Sequence, residues 1–333
     1  MTDLPPVHPM TTLSRRHWLL AAAGSGLPGL AHAQSPGWPA KPIRIVVAYP
    51  PGGVSDVIAR ALAEQLAPRL GASVIVENRA GASGMIGSAS VVKGPKDGSQ
   101  LLFTSVSMVS TAAATQNAPF DVVNDLVPLA IVNEAPLILV VNAKSDIKSP
   151  QDLVAAARAK PDELTHGTGG IGTIAHLAME MFNDAAKVQI RHIPYKGAAP
   201  AVTDLAGGTL SALMAVNSTF GPNIKSGRLR LIGVASVKPH PAFPGVPTLN
   251  TVAPGYTAGL WTGVFAPAGT PAALVQRLNR EINEISKSRE LAELMQGDGA
   301  IPRALTPEES ARVVRDSFNT WKRISSARNI VAE

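Results

Sequence analysis

Short β-branched runs alternate with amphipathic helices along most of this 333-residue chain, and that alternation confines it to an α/β fold. Ile43-Arg44-Ile45-Val46-Val47-Ala48 has the near-continuous apolar character of a buried parallel strand. Pro50-Pro51-Gly52-Gly53 ends it, and Ile58, Leu62 and Leu66 then recur at helical spacing. Strands are predicted over 74–76, 101–104, 137–141, 190–193 and 229–234, with another ending near His166. Helices are predicted over 83–92, over 149–160 behind the capping box Ser149-Pro150-Gln151-Asp152, and after Thr173 with Ile174, Leu177, Ala178 and Met181 on one face. Thr270-Pro271 should cap a helix with Leu274, Leu278, Ile282 and Ile285 inward, and the capping box Thr306-Pro307-Glu308-Glu309 should open one that buries Val314, Phe318 and Trp321. Such alternation implies parallel sheets. Residues 238–255 are Pro-rich and irregular, and 261–266 reads as a strand returning to the first unit. The chain therefore divides into 34–138 plus 260–333, and 139–259.

The N-terminus is an export signal. Ser14-Arg15-Arg16-His17 precedes an apolar run over 18–30 that is too short to span a bilayer and is broken by Gly24, Gly26, Pro28 and Gly29. Ala31-His32-Ala33 is a small-x-small cleavage site, so the signal peptide is 1–33, and the arginine pair suits the twin-arginine route. The rest has no second long apolar stretch. The absence of cysteine excludes disulfides, thiolate metal sites, a cysteine nucleophile and a lipidated N-terminal cysteine. The formal charge of +6, or +5 without the signal's two arginines and one aspartate, favours an anionic ligand. The basic residues are scattered and aromatics make up only 4% of the chain, which argues against a nucleic-acid partner.

Two loops share one design. Tyr49-Pro50-Pro51-Gly52-Gly53-Val54-Ser55-Asp56 and His166-Gly167-Thr168-Gly169-Gly170-Ile171-Gly172-Thr173 each join a strand's carboxyl end to a helix start. Free N–H groups backed by a helix dipole suit a carboxylate or phosphate, glycine allows close approach, and Ser55, Thr168 and Thr173 add hydroxyls. Either loop alone could be only a tight turn; two matched loops in two units point to a ligand. The candidate binding set is Tyr49, Pro51, Gly52, Gly53, Ser55, Asp56, Ser105, Thr168, Gly169, Gly170, Gly172, Thr173, His176, Tyr195, Lys196 and Asn217. Asp56 is either a helix cap, a partner for a ligand ammonium group or a group that positions a water, and His176 either lines the cleft or has a capping or core role. Tyr195-Lys196 ends a strand and so should face the same cleft. Gly167-x-Gly169-x-x-Gly172 fits the dinucleotide fingerprint only formally, because Ile193-Pro194-Tyr195-Lys196 stands where an acidic residue is needed. No Gly-x-Ser-x-Gly elbow and no zinc-like histidine spacing occur after the signal, so no catalytic or metal residue is assigned and no cofactor is expected. An exported hydrolase is the alternative function.

With Asp56, Ala59-Arg60, Val76-Glu77-Asn78-Arg79-Ala80-Gly81, Ile86-Gly87, Asp97-Gly98, His176-Leu177, Pro194-Tyr195-Lys196-Gly197, Asp204-Leu205, 224–230, Val246-Pro247-Thr248 and Pro267-Ala268-Gly269-Thr270-Pro271, the chain resembles the Bug-type, TctC-like extracytoplasmic solute receptors almost throughout. The resemblance implies a periplasmic binding protein of the Venus-flytrap, type II, architecture. Two Rossmann-like lobes would hold a small organic acid between pincer loops at 50–56 and 167–173, through backbone N–H groups, hydroxyls and waters. It also implies a non-enzymatic receptor; some members of the family hand ligand to tripartite tricarboxylate transporter membrane subunits and many have no assigned partner, and a monomer is expected. One departure stands out. In Leu213-Met214-Ala215-Val216-Asn217-Ser218, Ala215 takes a position that is polar in many relatives, which favours an acid without an amino group.

Overall fold

The computed structural model describes residues 38–332, so the signal region 1–33 lies outside the described residues. β1 (Ile43–Val47) leads into α1 (Val54–Leu70), β2 (Val74–Asn78), α2 (Met85–Val92), β3 (Gln100–Ser105) and α3 (Val106–Ala114). β4 (Leu126–Pro136) and β5 (Ile138–Asn142) follow, separated by Leu137 alone. Next come α4 (Pro150–Ala159), β6 (Thr165–Thr168), α5 (Ile174–Ala186), β7 (Arg191–Pro194), α6 (Ala198–Gly207), β8 (Ala212–Ala215), α7 (Gly221–Lys225) and β9 (Leu229–Val234). The chain closes with β10 (Gly259–Pro267), α8 (Ala272–Ser286), α9 (Arg289–Gln296), β11 (Ile301–Pro302) and α10 (Pro307–Ala327).

These strands form two sheets, in the orders β11-β4-β10-β3-β1-β2 and β7-β6-β8-β5-β9. The expectation of parallel sheets needs correction, because both are mixed. β1 pairs in parallel with β2 and β3, and β6 with β7 and β8, whereas β10 runs antiparallel to β3 and β4, and β5 antiparallel to β8 and β9. β11 also runs antiparallel, to β4, so the antiparallel pairings lie at the crossings between sheets and at the β11 edge. The chain leaves the first sheet at β4, enters the second at β5 and returns along β10. Three backbone hydrogen bonds tie these crossings: Leu137 N–H to Ala258 O (3.0 Å), Ala235 N–H to Leu137 O (2.8 Å) and Ala258 N–H to Ala235 O (3.2 Å).

Apolar pattern explains most elements. In β1 the side chains of Ile43, Ile45, Val46 and Val47 are wholly buried, as expected of a strand covered on both faces. Ile58, Leu62 and Leu66 line the core face of α1. In α8, Val275 takes the core position expected of Leu274, which is half-buried, as is Phe318 in α10. Thr270 donates its hydroxyl to Pro267 O instead of capping α8. The Thr306–Glu309 capping box is present, but at Ser149 the Asp152 carboxylate accepts from Lys148 N–H, so only half of that box forms. Among the described residues no helix is long and apolar enough to cross a membrane.

The packing of α2 on β1 depends on Gly87. A β-carbon there would lie 2.7 Å from Arg79 O and 2.9 Å from Ala48 Cα, both backbone atoms. Alanine gains about 1 kcal/mol of helix propensity, but overpacking against backbone costs about 1–3 kcal/mol. Gly87→Ala is therefore expected to lower the unfolding free energy by up to about 2 kcal/mol in urea titration, and a stabilised variant would show that the helix can shift away from β1.

Candidate ligand cleft

One cleft of about 810 Å³ opens between the two sheets. From the first sheet it is lined by Tyr49–Ser55 after β1, Ser105 after β3, Asn133 and Ala135 in β4, Leu260 and Thr262 in β10, and Met295, Asp298 and Ala300 around the α9–β11 turn. From the second it is lined by Gly169 after β6, Gly197 and Ala198 after β7, and Val216, Ser218 and Thr219 after β8. Strand register sets Ser105, Thr262 and Asn133 side by side on its floor. The Thr262 hydroxyl oxygen is buried with no hydrogen-bond partner in the protein, a feature expected of a group waiting for ligand or water.

The helix starts around the cleft differ in one respect. Ser105 seals α3 by accepting from Ser107 N–H at 3.2 Å, and its hydroxyl also meets the Tyr49 hydroxyl at 2.7 Å. Burial raises the Tyr49 pKa against the pull of those serine and threonine hydrogen bonds, so the phenol stays protonated. The start of α1 has Gly53 at its N-cap, in extended conformation with no side-chain cap. The start of α6 has Gly197 there, at φ +103°, also uncapped. Uncapped helix starts present orphan N–H groups and the positive end of the dipole, and both of these point to the same cleft. No lysine, arginine or histidine lines it, and Asp298 is its one ionisable carboxylate.

Tyr49, Pro51, Gly52, Gly53, Ser55, Ser105 and Gly169 of the candidate set line the cleft. Asp56 is 3% exposed behind its loop, accepting from Gly52 N–H (2.9 Å), Arg60 Nε (3.0 Å) and Asn78 Nδ2 (2.8 Å). Burial pushes its pKa up, but these donors outweigh it and hold the carboxyl below the ordinary value. Thr173 caps α5 by accepting from His176 N–H and donates to Gly170 O, while His176 Nδ1 accepts from Gly172 N–H. Gly172 turns at φ +75° toward Ala114 and Ala332, where a β-carbon would come within 2.8 Å of Ala332 Cβ. Tyr195 donates to Asp204 at 2.6 Å, a bond that pushes its pKa up to about 12. Asn217 donates to Gly297 O at 2.7 Å, and Lys196 is exposed. Thr168 is buried, its hydroxyl 2.6 Å from His192 Nε2 and donating to Gly170 O at 3.0 Å. The second loop is thus braced from within, and the open helix start on that side is one turn further along the sheet edge, at Gly197. Rule-based reading of Tyr195-Lys196-Gly197 as a strand end already pointed there; Thr262 and Asn133 become visible only through sheet register, and Asp298 has no local signal.

Beneath the second loop lies a histidine cluster. The rings of His176 and His192 stack at 3.6 Å, and His166 lies 5.0 Å from His192. Glu180 lies 3.5 Å from His166 Nε2 and pairs with Arg328, which also pairs with Asp184. Burial, then the neighbouring histidines, drop the pKa of His176 to about 4 and that of His192 to about 3; Glu180 pulls His176 the other way without prevailing. Both rings stay neutral in the fold but protonate near pH 6.5 once unfolded. The unfolded chain therefore binds more protons as pH falls, so this contribution is full above about pH 6.5 and is lost from there down to about pH 4 for His176 and about pH 3 for His192. The slope should be about 1.4 kcal/mol per pH unit for each proton taken up. Urea titrations at several pH values should show this decline, and His192→Gln should flatten it by about one proton; a slope unchanged in that variant would remove His192 from the account.

Two α/β lobes facing a cleft with open helix starts define a solute-binding receptor of the periplasmic type. The chain belongs to the tripartite tricarboxylate transporter receptor family, TctC, whose model matches residues 58–330. It is 37% identical over 305 residues to protein BugT of Bordetella pertussis, covering 91% of this chain and 92% of that one. Among solved structures it resembles R. palustris Rpa4515 with adipate (TM-score 0.77, 29% identity, 88% of this chain and 99% of that one). It also resembles the periplasmic binding protein BugD (TM-score 0.75, 27% identity, 89% and 100%).

Proposed function

We propose that this receptor captures a small organic acid, with a ligand carboxylate on the open starts of α1 and α6, and delivers it to tripartite tricarboxylate transporter membrane subunits. The observation that carries this reading is the pair of uncapped helix starts at Gly53 and Gly197, one from each sheet, on a cleft lined by no cationic side chain. Only backbone N–H groups, hydroxyls and the Asn133 amide are there to meet a negative charge, and charge-assisted bonds of this kind are worth roughly 1.5–3 kcal/mol each. The moving bodies are 34–138 with 260–333, and 139–259, closing about the crossings at Leu137 and Ala258. On this reading the protein is a monomer that binds no nucleic acid and catalyses nothing; in its support against a hydrolase, the Ser105 hydroxyl is engaged by Tyr49 and no histidine is among the lining residues. Adipate, carried by Rpa4515, is a ligand of the same chemical class.

Gly53→Asp tests the site directly. The position is extended, at φ −79° and ψ 167°, so an aspartate fits as an N-cap and should hold or slightly raise the melting temperature. Its carboxylate would occupy the N–H groups that the ligand needs, and affinity should fall by about tenfold or more, equivalent to about 1.4 kcal/mol. Thermal shift against a carboxylate panel finds the ligand, since binding at 100 times Kd adds about 2.7 kcal/mol. A folded Gly53→Asp protein that binds like the wild type would move the site elsewhere.

The protein reaches the periplasm through the signal at 1–33, cut near Ala33. Replacing Arg15 and Arg16 with lysine should leave uncleaved precursor in the cytoplasm on immunoblots, while normal processing would assign the Sec route.

A further inference from the structure

The cleft is electrically asymmetric, and its one fixed charge is negative. Asp298 lies between α9 and β11, 8% exposed, and lines the cavity. Its carboxylate accepts from Ser218 N–H and, at 2.9 Å, from the Ser218 hydroxyl. Those two neutral donors come from the opposite sheet, and no lysine or arginine ion pair reaches Asp298 among the described residues. Two hydrogen bonds leave acceptor capacity on the carboxylate, which has about four lone-pair sites.

Sheet order places this charge at the end away from the open helix starts. In the first sheet, β11 is separated from β1, which delivers Gly53, by β4, β10 and β3. At about 4.8 Å per strand that is roughly 15–20 Å. In the second sheet, β8 delivers Ser218 and is separated from β7, which delivers Gly197, by β6. Both edges therefore run away from the Asp298–Ser218 contact toward an uncapped helix. Between the two ends Ala135, Leu260, Val216 and Met295 supply apolar wall, and the floor carries the neutral polar groups of Ser105, Thr262 and Asn133, so no second fixed charge intervenes.

We propose that the cleft selects an elongated acid with a single carboxylate at the helix-start end and a cationic or other hydrogen-bond-donating group at Asp298. This rests on the carboxylate reading above and narrows it. A second carboxylate at the far end would meet Asp298 as a like charge with no cation to offset it, whereas an ammonium would complete an ion pair in a partly desolvated site. This departs from the expectation of an acid without an amino group, drawn from Ala215, because Asp298 is a carboxylate supplied by another element.

The test uses matched pairs of unbranched ω-amino acids and α,ω-diacids, from butane to dodecane skeletons, titrated calorimetrically into the purified protein. The ω-amino acid of the best-fitting length should bind at least about tenfold tighter than the diacid of that length. Asp298→Asn, which keeps an oxygen for Ser218 N–H, should erase most of that preference, while Ser218→Ala, which keeps the charge, should retain it. A diacid that binds as well as or better than its partner overturns the proposal and leaves the carboxylate receptor standing. So does an Asp298→Asn protein that weakens both members equally, because Asp298 would then only tie the Ser218 turn. Binding of no acid in the series overturns the proposal, and the carboxylate panel and Gly53→Asp then decide the carboxylate reading separately.

Discussion

Asp56 takes hydrogen bonds from the Gly52 amide, the Arg60 side chain and the Asn78 side chain, and Asn78 also donates to the Tyr49 carbonyl. This buried knot ties the end of β1, the glycine turn, the first turn of α1 and the end of β2 into one piece. Its charge is offset by Arg60 at 3.0 Å, so a carboxylate one turn from the helix start does not spoil that start for an anion. Because Asp56 bonds Gly52 rather than the first turn of its own helix, α1 stays uncapped. The cleft's capacity to hold an anion without a cationic side chain follows from that choice of partner.

Sealing and opening of helix starts also explains how far the sequence was legible. The first loop could be read directly, since a buried β-branched strand, a glycine turn and a regularly spaced helix follow one another without ambiguity. The second loop has the same residue types, but Thr173 and His176 spend their polar atoms on the loop itself and Thr168 spends its hydroxyl on His192. Residue type cannot distinguish a threonine that caps from one that waits for ligand; only the partner does. The site's polar floor was hidden for a different reason. Thr262 and Asn133 meet Ser105 through antiparallel pairing of strands far apart in sequence.

The missed elements have physical causes too. β4 carries Pro128, Asn133 and Glu134 and its pairing with β10 shifts register twice, so it shows neither alternation nor a clean apolar run. α3 is small and buried on nearly every side, with the Ser110 hydroxyl donating to Ser107 O, so it has no polar face to mark a period. Parallel sheets were expected from the alternation alone, and the two crossings, with the short edge strand β11, introduced the antiparallel pairings.

Those crossings carry a mechanical consequence. The two sheets are joined at Leu137 and just before Gly259, and the Leu137, Ala235 and Ala258 backbones bond one another in a ring. Ladders begin on either side of it, so few soft dihedrals separate the two bodies. A rotation about this ring would be close to a single angular coordinate rather than the ordering of a floppy segment. Fixing one angle forfeits far less conformational entropy than fixing the many dihedrals of a loop, at about 1–2 kcal/mol per residue. Most of what a ligand contributes at the cleft would then remain as affinity.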